Sequence, residues 1–315
     1  MTVSLIDCHY AGYERVAAAY LIVEGGQAAF VETNTTHSVP RLLAALAEHG
    51  LTTDDVQYVI ITHVHLDHAG GASALMAACA NAQLLCHPRA APHVIDPSKL
   101  VGSARKVYGD AVFDHLYGEI NGVPADRVRA LEDGHELIWG DRTLTFHYTR
   151  GHANHHFVIY DSATDAVFTG DAFGVAYPAL QPGGRLIFPS SSPTDFDAAA
   201  AIGSVQRIVA TGARRAWLTH FGAVDELDSA ASELVDRLTD YGRWVDEADR
   251  DDVPDESLDA YMSERVTADF DACLAARGLG PDARQLIRLD ADINAQGLAF
   301  AVRKRRFKRR SSPRT

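Results

Sequence analysis

The sequence contains few cysteines, and none of them shows the spacing of a disulfide framework or a thiolate metal site. The four are Cys8, Cys79, Cys86 and Cys273, and no two of them form a CxxC arrangement. Each stands among apolar neighbours, where free cysteines are usually buried. The pattern argues against a disulfide scaffold and against a structural zinc site. We expect all four to be reduced residues of the core.

Long hydrophobic runs are also missing. No stretch reaches the roughly 18 uninterrupted apolar residues that a membrane-spanning helix requires. The opening segment, MTVSLIDCHY, has no basic stretch followed by an apolar one. We therefore expect a cytoplasmic protein without a membrane partner. With 315 residues, 47% of them hydrophobic, the chain is long enough for one large domain and a smaller appendage.

The formal net charge of -13 hides a strongly basic end. Residues 303–315, RKRRFKRRSSPRT, carry eight Lys and Arg, so the remainder of the chain is more acidic still. We expect this segment to be a disordered tail that aids solubility or self-association, which leaves a homodimer open. Contact with nucleic acid is the less favoured alternative, because an acidic body repels a polyanion.

Apolar, β-rich runs alternate with helical patterns along most of the chain. Strands are predicted at 3–6, 18–23, 28–32, 56–62, 83–87, 136–140, 142–149, 155–161, 166–171 and 214–220, and helices at 38–50, 72–80 and 194–211. Two groups of mixed strands with helices between them predict an α/β fold of two packed sheets. We expect a catalytic domain over 1–224, a helical region over 225–302 packing near the active site, and the tail over 303–315.

Imidazole and carboxylate side chains collect where these apolar strands end. The seven residues concerned are His63, His65, Asp67, His68, His152, Asp171 and His220. Functional sites form at the carboxyl ends of strands, where loops meet over a rigid scaffold. Three histidines and an aspartate within the six positions of HVHLDH have no packing rationale after an apolar run. The other histidines are expected to be structural.

These donors suit a metal site with open coordination positions. Imidazole nitrogen and carboxylate oxygen bind Zn, Mn and Fe, and the absence of thiolate argues against a closed zinc site. Seven ligands exceed one tetrahedral ion but can serve two, with one carboxylate bridging. Two ions about 3.5 to 4 Å apart hold a hydroxide at neutral pH and stabilise the oxyanion that its attack creates.

The stretches THVHLDHAGG, TRGHANHHF, FTGDA and WLTH, in this order, resemble the metallo-β-lactamase-fold superfamily over residues 1 to about 224. The resemblance implies an αββα sandwich with a C-terminal helical extension. It implies His63, His65 and His152 at a first metal, Asp67, His68 and His220 at a second, and Asp171 as the bridge. A supporting role without ligation is implied for His156. The strand end VETNT differs from the DTG-like turn that is more usual in the family.

The loop after Asp171 is the most informative segment for the substrate. Phe173, Tyr177, Leu180 and Phe188 are apolar or aromatic and are expected beside the metals, where Tyr177 could donate a hydrogen bond to an oxyanion. The alternative is that they are ordinary anchors that pack the loop onto the sandwich.

We therefore expect a dinuclear metal-dependent hydrolase that acts on an ester, thioester or lactone of a small, partly apolar substrate. Metal-bound hydroxide would attack the carbonyl while Asp67 orients the nucleophile or its proton. Two divalent ions are implied, with Zn favoured and Fe or Mn open. Two alternatives remain: a di-iron oxygen or redox enzyme on the same ligands, and a nucleic-acid-processing metallohydrolase.

Overall fold

The computed structural model describes residues 2–191 and 195–311, except for the side chain of Val107. The chain divides into two compact units. The first comprises Met1–Tyr148, His155–Gly170 and Thr211–Leu227, and the second comprises Thr149–Asn154, Asp171–Ala210 and Asp228–Thr315. The second unit thus includes two inner segments as well as the C-terminal helices, and the single boundary expected at Val224 is not the division that the structure shows.

The first unit contains both β-sheets of the described chain. One sheet consists, in spatial order, of β1 (Thr2–Asp7), β2 (Ala18–Glu24), β3 (Gln27–Val31), β4 (Val56–Ile60), β5 (Gln83–Cys86) and β6 (Val128–Ala130). The other consists of β7 (Glu136–Trp139), β8 (Arg142–Tyr148), β9 (Phe157–Asp161), β10 (Ala166–Gly170), β11 (Arg215–Leu218) and β12 (Gly222–Asp225), also in spatial order. From β3 to β6 the strands run parallel, whereas only β10 and β11 are parallel in the second sheet.

The two sheets pack face to face through large side chains. The ring of Tyr20 on β2 lies 5.3 Å from Phe168 and 5.4 Å from Trp217, which belong to the second sheet. Near the ends of β4 and β9, the backbone N–H of Phe157 donates to the carbonyl of Thr62. Because successive side chains of a strand point to opposite faces, each sheet buries one face in this contact.

Some helices of the first unit pack on the first sheet. The unit contains α1 (Val39–Glu48), α2 (Leu66–Ala69), α3 (Ala72–Ala78), α4 (Ala91–Ile95), α5 (Ser98–Tyr108) and α6 (Asp110–Tyr117), of which α1, α3 and α4 contact strands of that sheet. Leu42 of α1 and Leu75 of α3 are fully buried in one apolar cluster with Phe30 and Val59. Burying each such side chain contributes about 1.5 to 3 kcal/mol, so these contacts hold the segments around the predicted site in place.

The second unit contains the remaining helices of the described chain. They are α7 (Ala198–Val209), α8 (Leu227–Arg250), whose first residue belongs to the first unit, α9 (Leu258–Ala276), α10 (Pro281–Leu286) and α11 (Arg288–Ser311). Helices α9 and α11 pack along each other, and α10 contacts both. As far as the described residues go, none of the helices combines the length and apolar character that crossing a membrane requires.

The predicted fold class is confirmed: the chain is an α/β protein with two sheets and a C-terminal helical region. The short strands β6 and β12 were not predicted, because strands of three and four residues give little periodicity.

Cys8, Cys79 and Cys86 are buried, and burial raises the pKa of Cys79 to about 11 and that of Cys86 to about 12. Their thiols therefore stay protonated and weakly nucleophilic at neutral pH.

The prediction that residues 303–315 are disordered is wrong for residues 303–311, which form the last turns of α11. Residues 312–315 lie outside the described part of the chain. Arg306 is only 5% exposed and donates to the carboxylates of Asp249 and Asp255 and to the carbonyl of Val253. Further basic side chains of this segment also pair with aspartates: Arg303 with Asp259, Lys304 with Asp195, Arg305 with Asp246 and Arg309 with Asp249.

We predict that Arg306→Ala lowers the free energy of unfolding by about 2 kcal/mol, because it removes the hydrogen bonds of a buried guanidinium to two carboxylates and a carbonyl. Urea unfolding followed by circular dichroism would show a lower midpoint. Arg310→Ala is the matched control, since Arg310 is exposed one turn later on α11 and its loss should change stability by no more than about 0.5 kcal/mol. Equal midpoints for the two variants would mean that the basic segment is not held as the structure shows.

Candidate metal centre

The HVHLDH segment leaves the first sheet directly after β4. His63 is fully buried, and its Nε2 lies 2.9 Å from Nδ1 of His65. Asp67 and His68 belong to the short helix α2, which turns their side chains back over the strand end. The ring centroids of His63 and His68 are 4.0 Å apart. Strand, turn and helix thus bring the four motif side chains of the first unit together.

His220 joins this group from the end of β11. Its Nε2 lies 3.4 Å from Oδ2 of Asp67, and Nε2 of His68 lies 3.7 Å from the same oxygen. The ligand atoms of Asp67, His68 and His220 fall within 4.8 Å of one another. An ion between them could reach all three, and Asp67 is the most exposed of the set, with 28% of its side chain accessible.

The opposite nitrogen of each ring is held by a fixed hydrogen-bond acceptor. The Nδ1 atom of His220 donates to the carbonyl of Val16 over 2.8 Å, and that of His68 lies 3.0 Å from Oε1 of Glu32. A carbonyl oxygen can only accept, so Nδ1 of His220 carries the proton. A neutral ring with a protonated Nδ1 presents its Nε2 lone pair, which is the form that binds metals.

Glu32 is a site residue that the sequence analysis missed. It is 1% exposed, and its carboxylate accepts hydrogen bonds from Thr62, Thr219 and His68. Its oxygens also come within ligand distance of His63 and His68, but these donors already occupy them. We therefore assign Glu32 to orienting the histidines. The sequence contained an indication of this role, because Glu32 directly follows β3 just as the other site residues follow their strands.

The turn after β3 also fixes the backbone of the motif. Asn34 donates through its side chain to the carbonyl of Asp67, and Thr33 donates to that of His68. A Cβ atom on Gly71 would lie 2.7 Å from the carbonyl oxygens of Thr33 and Thr35. Only glycine allows this approach, which explains the glycine that follows the motif. The unusual VETNT turn is therefore part of the site's support.

His152 and Asp171 form a matching pair within the second unit. Nε2 of His152 lies 3.4 Å from Oδ2 of Asp171. Nδ1 of His152 donates to the carbonyl of Ser190 over 2.9 Å, while the hydroxyl of Ser190 donates to Oδ2 of Asp171 over 3.0 Å. Both side chains are about 5% exposed. The carbonyl fixes the same ring form that is found at His220.

The donors of both units fit divalent metal. In each case an Nε2 lone pair points towards a carboxylate oxygen at 3.4 Å, so two electron-rich atoms converge. Such a convergence is stabilised by a cation, and imidazole with carboxylate is the donor set of catalytic zinc and iron sites. His156 is fully buried with its ring 4.9 Å from His63, beside the cluster, as a supporting residue would be.

The aromatic residues of the loop after Asp171 are packed inside the second unit. Phe173, Leu180 and Phe188 are at most 1% exposed, and the Phe188 ring lies 4.9 Å from Phe270 of α9. Their burial favours the interpretation as loop anchors over that as pocket lining. Tyr177 is 7% exposed and its hydroxyl donates to Asp290 of α11 over 3.1 Å.

Tyr117 is a further tyrosine near the motif that the sequence analysis did not identify. It packs in one buried cluster with Leu66 of the motif, and the hydroxyl of Tyr10 lies 3.4 Å from its own. Burial raises the pKa of Tyr117, and the charges of Tyr10 and Asp67 raise it further. Its phenol therefore stays protonated at neutral pH.

The structure thus brings together five of the predicted ligands, His63, His65, Asp67, His68 and His220, within the first unit. The other two, His152 and Asp171, are neighbours within the second unit. Their assignment to particular metal ions stays a prediction.

A family model described as the metallo-beta-lactamase superfamily matches residues 12–236. A metallo-beta-lactamase fold-containing protein, ST1585, of Sulfurisphaera tokodaii is 28% identical over 144 residues, which is 44% of this chain and 51% of the relative. A beta-lactamase-like protein 2 homolog of Caenorhabditis elegans is 25% identical over 155 residues, 48% of this chain and 42% of the relative. The matched part of the chain thus spans about half the length of these curated relatives or less.

Solved structures share the fold at low sequence identity. The crystal structure of ST1585 is similar with a TM-score of 0.64 at 20% identity, covering 94% of this chain and 97% of that one. A metallo-beta-lactamase family protein, TTHA1429, of Thermus thermophilus has a TM-score of 0.59 at 20% identity, covering 97% of this chain and 94% of that one.

We predict that Glu32→Gln weakens metal binding by roughly 10- to 100-fold, the usual effect of losing a carboxylate that orients a metal-binding histidine. Competition with a chromophoric chelator measures the dissociation constant. Glu48→Gln on α1 removes an exposed carboxylate and should leave it unchanged. Unaltered affinity in Glu32→Gln would show that the His68 ring needs no such partner.

Proposed function

The chain belongs to the metallo-β-lactamase superfamily, and from this premise we propose that it is a metal-dependent hydrolase with a dinuclear site. The observation that carries the proposal is the convergence of Asp67 Oδ2 with the Nε2 atoms of His68 and His220. The Nδ1 atom on the opposite side of each ring is held by a hydrogen-bond acceptor. Superfamily membership and this candidate metal group support divalent metal use. The number of ions and the substrate class are parts of the proposal.

We assign seven side chains to two ions. His63, His65 and His152 would hold the first ion, and Asp67, His68 and His220 the second, with Asp171 bridging. The proximity of His63 to His65 supports a shared ion, because their facing nitrogens are 2.9 Å apart. Zn is the favoured metal, since neutral imidazole and carboxylate are its usual catalytic ligands, while Fe and Mn suit the same donors.

The bound ions would supply a nucleophilic water at neutral pH and would polarise the substrate carbonyl. The protein's contribution is to hold the ligands rigidly and to place one proton acceptor at the open side. Asp67 suits that second role, because it is the most accessible carboxylate of the group. Its oxygen can orient the attacking water or take the proton that the water loses.

We propose an ester, thioester or lactone of a small, partly apolar molecule as the substrate. The resemblance of the HxHxDH motif, Asp171 and His220 to the ligand pattern of lactone-opening members supports this class. The first unit has a small recess bordered by Leu66 of the motif. Its lining is mainly apolar, with Ser73, His93 and Asn121 as polar exceptions.

The oxyanion that forms in such a reaction needs a hydrogen-bond donor. Tyr177 was predicted for this role, and it stays a candidate. Its hydroxyl proton is engaged by Asp290, however, and would have to be released first. Tyr117 is the second candidate, and we favour it because it packs in one buried cluster with Leu66 of the motif.

We predict that metal analysis of protein expressed without supplementation finds about two divalent ions per chain. A panel of thioesters, lactones, esters and phosphoesters should then show hydrolysis in that metal form. His63→Ala should lower kcat/KM by roughly 1000-fold or more, because metal catalysis contributes several kcal/mol. His115→Ala, at an exposed position of α6, is the control and should retain both metal and rate.

The other outcomes identify the alternatives. Two equivalents of Zn or Mn without hydrolysis anywhere on the panel would contradict the proposal. Iron with visible absorption and oxygen consumption would instead indicate a di-iron oxygen or redox enzyme. Salt-sensitive RNA binding that is weakened by Arg310→Ala, an exposed position of the basic segment, would indicate nucleic-acid processing.

We predict that Tyr117→Phe lowers kcat by roughly 100-fold with little change in KM, as expected when one oxyanion donor is removed. Tyr177→Phe should leave kcat nearly unchanged and lower stability by about 1 kcal/mol, the usual value of one hydrogen bond. Steady-state kinetics of both variants decide between the tyrosines. The opposite pattern would restore the oxyanion role to Tyr177.

A further inference from the structure

Helix α11 contacts the loop that begins at the proposed metal ligand Asp171, and one of these contacts is made by a buried amide. Asn294 is 2% exposed, and its Oδ1 accepts hydrogen bonds from the backbone N–H of Ser191 over 2.8 Å and from the Ser191 hydroxyl over 2.7 Å. The same hydroxyl lies 3.0 Å from the carbonyl of Asn294. Ser191, which is fully buried, is therefore held at its backbone and at its side chain.

The helix is shaped for this contact. A Cβ atom on Gly297, one turn after Asn294, would lie 2.6 Å from the carbonyl oxygen of Ser191. The side chain of Asn294 is itself fixed, since its Nδ2 donates to the carbonyl of Asp290 over 2.9 Å. Both the Oδ1 and the Nδ2 atom of the Asn294 amide are thus hydrogen-bonded. The absence of a side chain at Gly297 allows the loop to lie directly on the helix.

The residue preceding Ser191 makes the contacts that orient the ligands. Ser190 accepts from Nδ1 of His152 through its carbonyl and donates to Oδ2 of Asp171 through its hydroxyl, over 2.9 and 3.0 Å. The carbonyl of Ser190 and the N–H of Ser191 belong to the same planar peptide unit. Asn294 therefore fixes one end of a peptide group whose other end sets the ring form and direction of His152.

From this chain of contacts we infer that Asn294 is a positioning residue for the metal centre: it holds the Ser190–Ser191 peptide that orients His152 and Asp171. The inference rests on the proposed metal centre and assigns a task within it to the C-terminal helix. A buried amide without a site to serve could be replaced by apolar packing at little cost, whereas here each polar atom of Asn294 is committed to the loop or its own helix.

The test is metal affinity rather than rate. Asn294→Ala should raise the dissociation constant for at least one ion by roughly 10-fold, the lower end of the effect of losing outer support of a metal ligand. The ligand-field absorption of the Co(II)-loaded protein should also change, because the direction of the His152 ring changes. Gln296→Ala is the matched control, since Gln296 carries an exposed amide on the same helix; both readouts should stay as in the unsubstituted protein.

Two further variants test the same inference if Asn294→Ala fails to fold. Ser191→Ala removes the hydroxyl contacts but keeps the backbone one, and Gly297→Ala pushes the loop away from the helix without removing any hydrogen-bonding group. Thermal unfolding of each metal-free variant separates a weakened fold from a misplaced ligand. Unchanged affinity and Co(II) spectrum in folded variants would overturn the inference. Failure of the unsubstituted protein to bind metal would instead overturn the proposed function.

Discussion

The hydrogen bond behind each metal-facing imidazole is the interaction on which the proposed site depends. His68, His152 and His220 each have Nδ1 close to a fixed oxygen, from Glu32, the Ser190 carbonyl and the Val16 carbonyl respectively. These contacts select the ring form that directs Nε2 towards a carboxylate. If the rings were free to turn, the convergence on Asp67 and Asp171 would be lost, and with it the argument for a divalent ion.

Each of those oxygens is supplied by a different part of the fold, which explains why the sandwich must be well packed. Glu32 stands at the end of β3, Val16 precedes β2, and Ser190 lies in the loop held by α11. The sheets of the first unit are fixed against each other by Tyr20 and its aromatic partners. A shift of about 1 Å in such a support is enough to misplace a catalytic group, because reacting atoms must meet within narrow limits.

The C-terminal helices of the second unit therefore have two tasks that differ in kind. The basic end of α11 is held by aspartates of α8 and α9 and of the segments next to them, which makes it a structural element. The middle of the same helix, through Asn294, reaches the loop that carries Asp171. A helix tied at its end by ion pairs is a stable base from which a buried amide can position a loop.

The sequence by itself determined the fold class and the strand ends at which the proposed metal ligands lie. It could do so because strand periodicity is local and because HVHLDH has no packing rationale. It did not reveal Glu32 as a support, the helical end of α11 or the burial of Phe173 and Phe188. Those depend on partners far along the chain, such as Asp249 for Arg306 and Asn294 for Ser191. Contacts of that kind exist only once the chain has folded, because they join side chains whose spacing carries no periodic signal.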